Sequence, residues 1–349
     1  SQVSINSTKA RIELLESDNF QLFTILSNLL NLNTVLNGPI LTLLSSLVGD
    51  TYTERFKFWQ VLDNWLFTSG RSNSFISLPK ERMSKKLNNY QMISGFIDLI
   101  SKLFWPLDTS GNMFVPYSHP FPLDLGSVVR KPGIWCYIDY LCTEILPEVD
   151  SSPITEDEKA SLKFSVLSVM EVCLSQLDPD LVLNATACHV KDMDYITENK
   201  SIIRFFQSHP GSAVLNYLYN NKVYNSLFEI CNLGIDQLDE LSGSSVWVKL
   251  LQKAVKIINM TLSREKFFAD ELIHILRLPD NKFVDPTAIG MSGLKSFYES
   301  FLLDLPLIAN LSLYVGSAKL EIAKTSLEII HTVISSKIFS GSENGIHSK

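Results

Sequence analysis

Apolar residues recur along most of this chain every three or four positions, which is the period of an α-helix. The clearest stripe lies near the end of the sequence and places its members on one helical face. These members are Leu320, Ala323, Leu327, Ile330, Ile334 and Ile338. Similar stripes run over 162–177 and 246–262. Convincing alternation of apolar and polar positions is missing, so the pattern predicts an all-α protein.

Further helices are expected between short polar breaks, near 11–36, 54–68, 84–104, 134–146, 201–218, 222–241, 265–277 and 291–314. The helix that carries the 162–177 stripe has a well-marked start. Ser152 can cap it and Pro153 suits the first helical position. Thr155 and Glu158 also have the spacing of a capping box.

The apolar stretch 22–48 is the one candidate for a membrane span. Asparagines and the turn residues Asn37, Gly38 and Pro39 interrupt it, so it falls short of the roughly 20 apolar residues that a span needs. We predict two buried helices joined at Asn37-Gly38-Pro39, and no membrane span.

Successive amphipathic helices with short turns form either a bundle or a solenoid. No crisp repeat consensus is visible, so we predict a degenerate HEAT/armadillo-like α-solenoid of stacked antiparallel helix pairs. At roughly 40–47 residues a unit it would hold about eight units. We expect one segment over 1–349, cut from a longer protein, with a possible soft joint at 105–153.

The joint is best marked between His119 and Ile138, where prolines and glycines alternate with large apolar residues. Pro120 and Pro122 disfavour helix at the residues before them. Gly126 suits a left-handed position, and Pro132-Gly133 is a turn signal. Because a loop this apolar cannot simply be solvated, we expect it to pack back onto the flanking helices.

Charge and cysteine usage narrow the class of protein. The net charge is −7, whereas a surface that tracks phosphates needs clustered lysine and arginine. The densest basic run, 80–86, is better explained as an exposed helix start than as a nucleic-acid site. The five cysteines form no Cys-x-x-Cys pair and fall at apolar positions, which fits the cytosol or nucleus.

The sequence contains no recognisable catalytic, cofactor or metal motif. None of the six histidines has metal-ligand spacing, and Cys188 and His189 are adjacent rather than chelating. Glycine-rich phosphate loops and a Gly-x-Ser-x-Gly elbow are missing. His331 is expected to be a partly buried helix residue. We therefore predict catalytic, cofactor and metal residues to be none.

Aromatic residues crowd the helix near 54–68 and the approach to the joint. Most of them are expected in the core. Trp105, Phe114 and Tyr117 lie on an irregular segment, so they are the candidates for anchoring an apolar helix or linear motif of a partner.

A specific motif in the joint reads Phe121-Pro122-x-x-Leu125-Gly126-x-x-x-Arg130-x-Pro132-Gly133-Ile134-x-x-Tyr137. It resembles a segment of the largest inner-ring scaffold nucleoporins of the nuclear pore complex, and the resemblance continues through 266–273. Two positions depart from that pattern: Val129 replaces an aromatic residue and Cys136 replaces a proline.

The resemblance implies a superhelical scaffold in the nuclear envelope, without enzymatic activity or cofactor. Such a scaffold would bind other nucleoporins, especially short motifs of disordered linker nucleoporins, and support transport of protein and mRNA. It implies no direct contact with nucleic acid. Within the joint, Arg130 would cap a helix C-terminus or pair with a carboxylate, and Pro132-Gly133 would set the turn.

Two alternatives remain open. A soluble HEAT/armadillo-type nuclear transport receptor is also acidic and helical, but the five tryptophans lack the repeat-period spacing that such receptors should show. A helical enzyme with a site built from scattered residues is the other alternative, and ligand-induced thermal stabilisation would detect it.

Overall fold

The structure is a computed structural model that describes residues 9, 21–32, 35–68, 79–105, 121–180, 200–237, 245–284, 288–290, 293–313 and 320–343. The helices with described bounds are α1 (Leu22–Leu30), α2 (Asn37–Leu47), α3 (Tyr52–Phe67), α4 (Pro79–Lys86), α5 (Tyr90–Phe104), α6 (135–148), α7 (Glu156–Ser175), α8 (Lys200–Ser208), α9 (Pro210–Leu218), α10 (Asn221–Gln237), α11 (Val246–Leu262), α12 (265–276), α13 (Phe297–Ser312) and α14 (Leu320–Glu343). One isolated β-bridge, between Asn220 and Gly293, is the extent of β structure in these residues. The all-α prediction is confirmed.

Five helices form a spine, in which α2 packs against α5, α5 against α7, α7 against α11, and α11 against α14. The other helices form a second row, where α4 touches α3 and α6, α6 touches α9, and α10 touches α13. Stacking of this kind is an α-solenoid, as predicted. The spine helices begin at residues 37, 90, 156, 246 and 320, so each unit is longer than roughly 40–47 residues because the joint and other connections are inserted.

The contact between α2 and α5 explains two glycines. A Cβ added at Gly38 would lie 2.6 Å from the Gln91 carbonyl oxygen, and one at Gly95 would lie 2.5 Å from the Gly38 carbonyl oxygen. Gly38 therefore lets two helices approach closely instead of forming a turn. The prediction of a joint at Asn37-Gly38-Pro39 was wrong, since α2 begins at Asn37 and Pro39 lies in its first turn, where proline is tolerated.

Helix starts follow the local sequence. Thr155 and Glu158 form the predicted capping box at α7: the Glu158 amide donates to the Thr155 hydroxyl, and the Thr155 amide donates to the Glu158 carboxylate at 3.0 Å. Ser152 and Pro153 lie before this cap, so their expected capping roles were wrong. Ser152 has an extended backbone there and ends the preceding turn.

The prediction for α14 was wrong in one respect. The face toward the core carries Ile322, Ala323, Ser326, Ile329 and Val333, and of these Ala323 belongs to the predicted stripe. Three members of the predicted stripe, Leu320, Leu327 and Ile334, are instead 54–59 % exposed. His331 is exposed as well, not partly buried. Both faces of α14 are rich in apolar residues, so packing against α11 and α13 decides which one is buried.

Candidate protein-binding surfaces around the joint

The described part of the joint adopts the predicted turns. Gly126 and Gly133 have φ of +75° and +90°, in the region that favours glycine. The Gly133 amide donates to the Leu125 carbonyl at 2.9 Å, and the Arg130 amide donates to the Gly126 carbonyl at 2.9 Å. These hydrogen bonds satisfy backbone groups that a buried loop would otherwise leave unpaired.

The joint also packs back onto the flanking helices, as expected. Phe121, Leu125 and Ile134 are buried. The Phe121 ring lies 5.8 Å from that of Phe104 on α5 and 6.0 Å from that of His209, measured between centroids. The segment therefore joins the core of the solenoid on both sides.

Arg130, Asp63 and Tyr137 form a buried polar cluster, called here the Arg130 cluster. The Arg130 side chain is 2 % exposed; its Nε donates to Asp63 Oδ1 at 3.0 Å and its Nη2 pairs with the same oxygen. The Tyr137 hydroxyl donates to that oxygen at 2.8 Å. Arg130 Nη1 also donates to the Gly133 carbonyl at 2.9 Å. The cluster confirms that Arg130 pairs with a carboxylate.

The electrostatics of the Arg130 cluster favour a charged guanidinium. Burial alone would lower the pKa of Arg130, but the acidic groups around it, Cys136, Tyr137 and Asp63, raise the pKa above its ordinary value. Burial and the Asp63 charge hold the pKa of Tyr137 well above its usual range. Arg130 therefore stays cationic and Tyr137 stays a neutral donor, which keeps the cluster intact at neutral pH.

The sequence did not identify Arg55 and Asp63, the two charged residues that α3 buries near the joint. Arg55 and Asp63 each lie four positions from the buried Trp59 and share its face of the helix. A charged residue inside an apolar stripe was the signal available, because such a residue needs a buried partner.

Trp105, the first of the three predicted anchors, is 56 % exposed at the end of α5. Its backbone carbonyl accepts a hydrogen bond from Arg55 Nη1. Trp105 borders a pocket of about 160 Å³, called here the Trp105 pocket, between the ends of α2 and α5. Phe114 and Tyr117 lie outside the described residues.

Two larger grooves also lie on the surface. One of about 460 Å³ runs between α3 and residues 121–126 and mixes aromatic and polar walls, including Tyr52 and Gln60. The other, of about 690 Å³, lies between α11 and α14 and has an apolar floor that includes Leu320 and Leu327. Grooves of this size can receive short segments of other proteins.

The basic run 80–86 forms a separate helix, α4, and is not the start of a helix that reaches 104. Lys80 pairs with Asp139 at 3.1 Å, and the Lys86 ammonium lies 5.8 Å from the centroid of the Trp65 ring. Both lysines thus contact other elements of the solenoid.

The described side chains include a buried thiol whose pKa is shifted. Burial raises the pKa of the Cys136 thiol to about 12, so this thiol is a poor nucleophile at neutral pH. Among the described residues, no three His, Cys, Asp or Glu side chains lie close enough together to hold a metal ion. The described helices include none that is both long and apolar enough to cross a lipid bilayer.

Comparison with known proteins gives consistent matches. Residues 1–349 match the family described as nuclear pore complex scaffold, nucleoporins 186/192/205. The chain is 24 % identical over 310 residues to nucleoporin nup186 of Schizosaccharomyces pombe, covering 82 % of the chain. It is 23 % identical over 319 residues to nucleoporin NUP192 of Chaetomium thermophilum, covering 84 %. The matched region is 18 % of the length of each relative.

Proposed function

The chain belongs to the nuclear pore complex scaffold family of nucleoporins 186, 192 and 205, and from this premise we propose that it acts as a structural section of the pore's inner ring. The observation that carries the proposal is the family match over every residue of the chain, on an all-α solenoid. The site of action is the nuclear pore complex in the nuclear envelope. There the scaffold supports transport of protein and mRNA.

A scaffold must keep its shape while its partners come and go, and the joint supplies a physical basis for this. The Arg130 cluster ties α3 to the start of α6 through the turn at Gly133. A buried ion pair is costly to break because one partner would remain as an unpaired charge. The cluster therefore restrains the position of α3 relative to the start of α6.

Partners of this scaffold are other nucleoporins, and we propose that short motifs of disordered linker nucleoporins occupy its surface grooves. The groove between α3 and residues 121–126 and the Trp105 pocket both adjoin the joint. An exposed tryptophan beside a pocket is a frequent anchor for a linear motif. The role of Trp105, Phe114 and Tyr117 in partner binding stays a prediction.

We also propose that the chain works as one segment. The buried apolar residues from Leu26 to Val333 form one contiguous cluster, with the joint inside it. Softness at 105–153 remains a prediction, to be measured by hydrogen exchange at the joint amides.

The test is a pull-down of the purified chain from a nuclear-envelope extract, followed by crosslinking to map the contacts. We expect linker nucleoporins crosslinked beside the joint or in an inter-unit groove. Recovery of a transport GTPase or import cargo instead would favour the transport-receptor alternative, which the family match does not favour. Asp63→Asn, which removes the charge paired with Arg130, should weaken the crosslinks beside the joint, because Asp63 lies in the wall of the groove at residues 121–126.

A further inference from the structure

The two buried arginines near the joint differ in how their charge is balanced. Arg130 forms a buried ion pair with the Asp63 carboxylate. Arg55, whose side chain is 6 % exposed, instead donates from Nε to the Gly49 carbonyl at 2.9 Å and from Nη1 to the Trp105 carbonyl. The carboxylate recorded beside it, Asp50, lies 3.9 Å from Nη2 on a side chain that is 55 % exposed. Arg55 therefore has two neutral carbonyl acceptors and one long ion pair, to a carboxylate on a half-exposed side chain.

The pKa values reflect this difference. Burial lowers the pKa of Arg55, and the opposing charges of Asp50 and Glu54 do not restore it, whereas the pKa of Arg130 is raised. The Glu54 carboxylate is engaged at 2.7 Å with the Thr51 hydroxyl in the capping box of α3. A further anion beside Arg55 would be stabilised by a charge that the protein itself only partly compensates.

The Trp105 pocket lies directly against Arg55 and carries a second cation. Its lining includes Lys102, whose side chain is exposed, and the Trp105 indole. Asp98 lies one turn before Lys102 on α5, and its carboxylate accepts a hydrogen bond from Thr42 at 3.4 Å. Within the lining itself the two cations Arg55 and Lys102 outnumber the one carboxylate, Asp50, whereas the carboxylates of Glu54 and Asp98 lie outside the lining.

The size of the pocket restricts its occupant. A volume of about 160 Å³ accommodates the head of one side chain, not a helix. A guanidinium has five N–H donors, two of which are directed to carbonyls in Arg55. Donors thus remain for a carboxylate, a group whose geometry a guanidinium matches.

We propose that the Trp105 pocket takes the carboxylate of an aspartate or glutamate from a linear protein segment, while an apolar neighbour in that segment packs on the Trp105 indole. This inference rests on the proposed function and names the chemistry of the motif that the joint region receives. The positive charges of Arg55 and Lys102 would attract the acidic side chain into the pocket, and the Trp105 indole would provide the apolar contact area that anchors such motifs.

The test uses display selection of random 12-residue peptides on the whole chain, with sequencing of the enriched pool. We expect Asp or Glu next to an apolar residue to be enriched on the native chain. Peptides from that pool should bind about thirtyfold more weakly to Trp105→Ala and about tenfold more weakly to Lys102→Glu. Both altered side chains are exposed, so both variants should keep the native unfolding midpoint.

Matched controls make the result specific. Leu303→Ala removes an apolar side chain that is 84 % exposed, and Lys249→Glu reverses another exposed charge; neither should change binding. Replacing Glu by Gln in the selected peptide should weaken binding, and a phosphoserine version tests whether any anion suffices. Equal or tighter binding of the phosphoserine version would overturn the assignment to a carboxylate.

Two outcomes separate this proposal from the proposed function. Enriched peptides that bind Trp105→Ala and Lys102→Glu as tightly as the native chain would overturn the pocket proposal and leave a peptide-binding scaffold standing. A selected pool in which Asp and Glu are not enriched would also overturn the pocket proposal. The scaffold function is decided independently, by whether the pull-down recovers linker nucleoporins.

Discussion

Replacing Asp63 by Asn should destabilise the solenoid more than almost any surface change. The substitution keeps the size of the side chain, so no cavity forms, but it removes the negative charge beside Arg130. Arg130 is 2 % exposed and cannot turn toward water without opening the joint. The Tyr137 hydroxyl shares the same acceptor oxygen and is affected too.

The magnitude follows from the burial of the pair. Removing one partner of a buried ion pair costs about 3–5 kcal/mol, because the other charge is left without compensation. Asn retains an oxygen that can accept from Arg130 or Tyr137, and Arg130 keeps its bond to the Gly133 carbonyl. We therefore expect the lower end, about 3 kcal/mol of unfolding free energy.

Urea unfolding followed by tryptophan fluorescence measures this loss as a lower midpoint at unchanged slope. Asp157→Ala, which removes an exposed carboxylate from the first turn of α7, is the matched control and should cost less than about 1 kcal/mol. Asp63→Leu combined with Arg130→Met should recover much of the stability, since neither charge then remains. A loss below about 1 kcal/mol for Asp63→Asn, as for a surface ion pair, would refute the reasoning.

Three further predictions use the same unfolding assay. Gly95→Ala should cost about 1–3 kcal/mol, because its Cβ would lie 2.5 Å from the Gly38 carbonyl oxygen, and an unchanged midpoint would contradict the close contact of α2 and α5. On α14, Ile329→Ala should cost about 2–5 kcal/mol because this side chain is buried. Leu327→Ala should cost less than about 0.5 kcal/mol because this side chain is 55 % exposed. The reverse order would support the predicted stripe that places Leu327 on the buried face. Burial alone would raise the pKa of Glu171, but Lys253 and Lys256 lower it, so this carboxylate stabilises the fold above the ordinary pKa of glutamate and loses that contribution as pH falls through its lowered value. Glu171→Gln should accordingly reduce stability at pH 7, and the difference from the native chain should shrink as pH falls below the ordinary pKa of glutamate and through the lowered one; a pH-independent difference would argue against the ion pair.

The sequence predicted those features of the fold that depend on neighbouring residues. The capping box of Thr155 and Glu158 requires only a spacing of three, and the turns at Gly126 and Gly133 require only that glycine tolerate positive φ. The helical periods gave the fold class because each helix buries a stripe of its own.

Features that depend on contacts between residues far apart in the sequence could not be predicted from local patterns. Asp63 lies 67 positions from Arg130, and no local pattern shows that they meet. The buried face of α14 is set by α11 and α13, because the helix offers apolar residues on both sides. In the sequence alone Gly38 indicates a turn, whereas in the structure it allows the close contact between α2 and α5 at Gly95.

Trp105 is exposed, and its role as an anchor stays a prediction, whereas Arg55 and Lys102 were not predicted as site residues. Arg55 lies on a helix face that also carries Asp63, and Lys102 lies in the last turn of α5, so neither residue marks a pocket in the sequence. The pocket forms where the ends of α2 and α5 meet.

As a structural section of the nuclear pore scaffold, this chain is expected to bind other nucleoporins. Crosslinking mass spectrometry of isolated nuclear pore complexes tests it most directly, with crosslinks read at Lys102 and Lys131 beside the joint. We expect crosslinks from these lysines to linker nucleoporins within the intact pore. Crosslinks confined to transport GTPases or soluble cargo, or loss of the protein from pores under mild washing, would contradict it.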